Sequence, residues 1–108
     1  MTNEEQLQRL LSALGLCAKA RKLIVGTPMI CEAMRGKSKP FLVVCAADNA
    51  ENTQKKLSDK SAFYGVKMKV VDIDGETLAT AIGKHAKVAA VAITDKNLCR
   101  LVETVISD

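Results

Sequence analysis

Aromatic side chains are nearly missing from this 108-residue chain, which has two Phe, one Tyr and no Trp. A protein that reads unpaired bases needs exposed rings to stack them on, so the composition argues against that mode of nucleic-acid recognition. The core must be built from Leu, Ile, Val, Ala and Met. Histidine is equally scarce, with His85 alone. Any Ser-His-Asp or Cys-His arrangement would have to use it. It stands between lysines in GKHAK, which suits a surface or phosphate-contacting side chain better than a general base. Four cysteines, Cys17, Cys31, Cys45 and Cys99, are widely scattered and never at CxxC spacing. With a single histidine they offer no zinc set. Each lies in an apolar stretch and reads as a buried small hydrophobe of a reduced, cytosolic protein. No GxGxxG or GxxxxGK[ST] follows a strand. The longest apolar run, Phe41 to Ala47, is far too short to cross a bilayer. Met1 to Gln8 is polar and acidic, unlike a signal peptide. These absences predict a cytoplasmic protein that is no enzyme, holds no metal or cofactor, and has no membrane partner.

What is present is an ordinary globular balance, 48% hydrophobic and 26% charged. A chain of this length can bury enough surface for one core without disulfides, and residues 1–108 read as one domain. Sixteen Lys and Arg against twelve Asp and Glu leave a net charge of +4. That excess is compatible with a polyanion partner and equally with a solvated basic surface.

Along the chain, Leu7, Leu10, Leu11, Leu14 and Cys17 recur at helical spacing and predict an amphipathic helix from about Asn3 to Ala20. Lys22 to Val25 is a short strand broken by Gly26. Thr27 is the expected N-cap of a second helix, with Pro28 at its first position and Gly36 beyond its end at Arg35. The run from Phe41 to Ala47 reads as a buried central strand. Asp48 and Glu51 have capping-box spacing and should start a third helix reaching Phe63. VKMKVV, Val66 to Val71, alternates as a half-exposed strand with Lys67 and Lys69 on one face. Asp74 should cap a short helix ending at Ala81, Val88 to Ile93 should form a last buried strand, and Asp95 should cap a final helix. The acidic residues Asp72, Asp74 and Glu76 are better explained as a solvated, capped turn than as a magnesium site. The alternating elements predict an α/β fold, a three-layer α/β/α sandwich around a central four-stranded mixed sheet.

The lysines are the more informative charges. Lys19, Arg21 and Lys22 lead into the glycine turn, Lys37 and Lys39 flank the next loop, and Lys84, His85 and Lys87 form the loop before the last strand. Loops at strand ends can converge, and a basic rim around the N-terminus of the second helix would suit an RNA backbone. Lys55, Lys56 and Lys60 read as a solvated helix face.

The segment LLSALGLCAKARKLIVGTPMICEAMRGKSKPFLVVCAADNAENTQKK resembles the first half of a ribosomal L-seven-Ae-type domain, in particular its short bacterial, YlxQ-like branch. AFYGVKMKVVDIDGETLATAIGKHAKVAAVAITD continues the likeness, with AIGK before the last strand. The resemblance implies the same sandwich fold. It also implies binding to structured RNA, such as rRNA or another kink-turn-like RNA, by a ribosome-associated protein expected to be a monomer. In the family, an Asn-Glu pair and a Lys at the start of the second helix read guanine edges and phosphates, and an apolar loop before the last strand packs on bulged nucleotides. Carried over by position, the turn is Gly26 and Thr27, and the reading residues are Pro28, Met29 and Glu32. The acidic loop is Asp48, and the apolar-basic loop runs through Ile82, Gly83, Lys84, His85 and Lys87. Lys19, Lys22 and Lys37 would add phosphate contacts. Pro28-Met29 cannot accept hydrogen bonds from guanine, and Glu32 puts a carboxylate where a Lys is usual. The same departures suit an alternative, a protein-protein adaptor using Pro28, Met29 and Met34 as an exposed apolar patch.

Overall fold

The computed structural model describes residues 3–107, so the first two residues of the polar opening, and both ends of the span read as one domain, lie outside it. Its order is α1 (Glu4–Lys19), β1 (Leu23–Val25), α2 (Thr27–Arg35), β2 (Leu42–Cys45), α3 (Glu51–Tyr64), β3 (Lys67–Val70), α4 (Gly75–Ala81), β4 (Ala90–Ile93) and α5 (Lys96–Ser107). The strands lie in the order β1-β4-β2-β3; β4 is antiparallel to both neighbours and β2 is parallel to β3. This is the mixed four-stranded sheet that the sequence predicts, with element ends moved by a residue or two.

Every residue of β2 and β4 is fully buried, because helices cover both sheet faces. The two-residue period of a strand divides them between two cores. Leu42, Val44, Val91 and Ile93 face α1, α4 and α5, where they meet Leu10, Leu14, Cys17, Leu78 and Val102. Val43, Cys45, Ala90 and Ala92 face α2 and α3, where they meet Ile30, Met34 and Leu57. The small Ala90 and Ala92 leave room for Ile30 and Met34, which lie four apart on one face of α2. Met34 is thus fully buried and cannot belong to an exposed patch; only Pro28 and Met29 of that expected trio face outward. On β3, Met68 packs toward the α2/α3 core, while Lys67 turns to Glu103 of α5 at 3.2 Å.

Two expected caps are corrected. Gly26, not Thr27, is the N-cap of α2; its φ of 96° is a conformation that glycine adopts without strain. Ala50 is the N-cap of α3, and no side chain caps it. Asp48 is held elsewhere, so the capping box does not form. Asn3, Asp74 and Asp95 do cap their helices, accepting from the backbone N–H of Gln6, Thr77 and Leu98 at 2.7, 2.7 and 2.9 Å. Lys39 turns back onto the end of α2, donating to the carbonyls of Met34 and Gly36 at 2.6 and 3.2 Å, with Tyr64 beneath it. All four cysteines are free and buried. Burial pushes the thiols of Cys45 and Cys99 up to about 11, which keeps them protonated and inert at neutral pH. No helix among the described residues is long and apolar enough to cross a membrane.

Candidate nucleic-acid interface

The end of β1, the end of β2 and the start of β4 meet at one edge of the sandwich. Gly26 N–H donates to the Ala90 carbonyl at 3.2 Å, and Ala46 N–H donates to the Ala89 carbonyl at 2.9 Å. Asn49 Nδ2 donates to the same Ala89 carbonyl at 2.9 Å. This stitching sets the loop before β4 beside the first turn of α2.

The loop leaves α4 through a specific stop. Gly83 has φ 76°; its N–H donates to Thr80 O at 3.2 Å, and Lys84 N–H donates to Ala79 O at 2.9 Å. These two bonds are the Schellman pattern, which needs a left-handed residue just past the helix end. It explains the order Ile82-Gly83-Lys84 physically. Ile82 faces the core at 8% exposure, Gly83 makes the reversal, and Lys84 emerges into solvent. The apolar contact expected from Ile82 is therefore unavailable, since its side chain belongs to the α1/α4/α5 core.

Between this loop and α2 runs an open groove of about 620 Å³. Gly26, Thr27 and Pro28 form one wall, and Lys84, His85, Ala86 and Lys87 form the other. No side chain caps α2, so the N–H groups of its first turn and the positive end of its dipole are left for a ligand. Met29 adjoins the groove with 59% of its surface exposed. Glu32, three residues on, shares its helix face and is also exposed. Lys84 pairs with no carboxylate among the described residues. Lys87 differs, its ammonium lying 3.0 Å from Asp48. That hydrogen bond, helped by the Gly75 N–H, holds the Asp48 carboxyl below the usual carboxylate range.

The rest of the expected basic rim is dispersed. Lys22 stands at the other end of β1 from Gly26, its carbonyl accepting from Thr94 N–H at 2.9 Å. Lys37 lies past the far end of α2, roughly 13 Å away along a nine-residue helix. Lys19 lines a depression between α1 and α4 with Leu11, Glu76 and Thr80. None of the three lines the groove. Gly75 and Asn49, which hold the loop from beneath, carry no local sequence signal that would have singled them out. Among the described residues no group of three His, Cys, Asp or Glu side chains is placed to hold a metal.

Known proteins place this geometry in context. The RNA-binding protein YlxQ of Bacillus subtilis is 37% identical over 83 residues, covering 77% of this chain and 80% of the relative. Its Enterococcus faecium namesake is 36% identical, covering 80% and 82%. A solved protein of unknown function from Bacillus halodurans superposes with a TM-score of 0.84 at 33% identity, covering 93% of this chain and 98% of that one. The 15.5 kD RNA-binding protein of Giardia lamblia shares the fold, with a TM-score of 0.77 at 20% identity over 99% of this chain and 89% of its own. The profile of the ribosomal protein L7Ae/L30e/S12e/Gadd45 family matches residues 8–102. With nearly the whole sandwich inside that match, the chain belongs to the ribosomal protein L7Ae/L30e/S12e/Gadd45 family.

Proposed function

We propose that this chain is an RNA-binding, ribosomal-protein-like accessory protein of the cytoplasm and not an enzyme. It contacts structured, kink-turn-like RNA, in rRNA or elsewhere, through the N-terminus of α2 and the loop from Gly83 to Lys87. The observation that carries this reading is the convergence of Lys84 with the uncapped first turn of α2 across one open groove. A phosphate there would meet backbone N–H groups, a helix dipole and an ammonium together. The relatives named as RNA-binding support the same reading.

Affinity should come mainly from the RNA backbone. Neither the Pro28 ring nor the Met29 thioether offers a strong hydrogen-bonding group, so these side chains cannot read a guanine edge. Glu32 adds a carboxylate next to the path of a polyanion. Replacing Glu32 with Lys is expected to tighten binding of a kink-turn RNA several-fold at low salt, with less gain at physiological salt. Unchanged or weaker binding in a titration would remove this face of α2 from the interface.

A second reading has its own observation. Met29, 59% exposed beside Pro28, is an apolar group suited to a protein partner. A stoichiometric complex that survives nuclease treatment and is lost in Met29→Glu would favour the adaptor.

A further inference from the structure

The loop that carries Lys84 and Lys87 is held from two places, the turn after β2 and the start of α4. Asp48, in the turn after β2, accepts from Gly75 N–H through Oδ1 at 2.9 Å and from Lys87 Nζ through Oδ2 at 3.0 Å. The aliphatic stem of Lys87 lies across Gly75. A Cβ at that position would sit 2.6 Å from Lys87 Cγ, 2.9 Å from its Cε and 2.9 Å from the Val88 carbonyl oxygen. Glycine is thus required here for close approach. Val88 N–H closes the arrangement by donating to Gly75 O at 3.1 Å.

We infer that Asp48 is a positioning residue for RNA binding: it clamps Lys87 over Gly75, so that the Gly83–Val88 loop keeps its place beside α2 with Lys84 facing the RNA backbone. The inference rests on the RNA reading above. It departs from the expectation that Asp48 itself belongs to the contact surface. Charge alone and clamping predict opposite signs. Removing a carboxylate beside the groove raises the local positive potential and should tighten a polyanion. Loss of a clamp releases the loop and should weaken it.

The experiment is fluorescence anisotropy with a kink-turn RNA at low salt, on wild type, Asp48→Asn, Lys87→Met and the double variant. Asn keeps an oxygen for the Gly75 N–H, and Met keeps a stem over Gly75. Asp48→Asn is expected to weaken binding about threefold or more, and that effect should vanish when residue 87 is already Met, as coupled contacting residues behave. Gly75→Ala displaces the Lys87 stem and presses on the Val88 carbonyl without touching any charge, and should also weaken binding, with melting temperature followed to show that the fold persists. Tighter binding by Asp48→Asn, or the same loss in the Lys87→Met background, would overturn the inference and leave the RNA reading standing. Failure of wild type to bind the RNA would overturn both.

Discussion

Reversing the charge at Lys84 is expected to weaken RNA binding about tenfold or more, and by a similar factor for every structured RNA tested. Lys84 is the groove cation that pairs with no carboxylate among the described residues, and the Schellman turn at Gly83 fixes where it leaves the helix. A charge-assisted hydrogen bond is among the stronger polar contacts, and Lys84→Glu both removes it and sets a carboxylate against phosphate. Phosphate contacts carry no sequence information, so the loss should be uniform. The milder Lys84→Ala should flatten the dependence of log affinity on log salt by about one unit. A loss confined to one RNA sequence, or an unchanged salt slope, would mean that Lys84 does not face the backbone.

Truncating Leu14 to Ala is expected to lower stability by about 3–5 kcal/mol, the range for a fully enclosed leucine whose site collapses little. For a domain of this size, about 4–8 °C is lost per kcal/mol, so the melting temperature should fall by at least about 10 °C. Leu14 is 0% exposed and sits in the α1/α4/α5 core with Leu10, Leu78, Val91 and Val102. A drop of less than about 5 °C by circular dichroism would show that this core is looser than its burial implies.

The two predictions draw on features of unequal legibility. The core was readable because its signals are local: helical spacing from Leu7 to Cys17, and continuous apolar runs in the two central strands. The entry into α2 was read to within one residue. Thr27 has the side chain of an N-cap, but the chain can reach that turn only through positive φ, and glycine does this more readily than threonine does with its hydroxyl. Asp48 departs from its expected capping role for a different reason. Its spacing to Glu51 is that of a local capping box, yet its partners are Gly75, 27 residues away, and Lys87. Local sequence rules cannot weigh a distant N–H against a near one.

The lysines divide in the same way. Lys84 and Lys87, which line the groove, were legible as neighbours because AIGK marks a helix end and the basic loop beyond it. Lys19, Lys22 and Lys37 differ from them only in which end or face of the sandwich they occupy, and that depends on strand order and direction. Ile82 shows the reverse error: an apolar residue next to a basic loop reads as loop, but as the C-cap residue of α4 it turns into the core.

On the proposed function, the groove between α2 and the Gly83–Lys87 loop binds structured RNA mainly through the RNA backbone. Its most direct test is fluorescence anisotropy with a kink-turn RNA and with the same RNA after its G·A pairs are replaced, each titrated at low and physiological salt. The expected result is binding to both within a few-fold of one another, weakened by salt and lost in Lys84→Glu. Absence of binding to either RNA at low salt would contradict the claim and turn attention to the protein-adaptor reading.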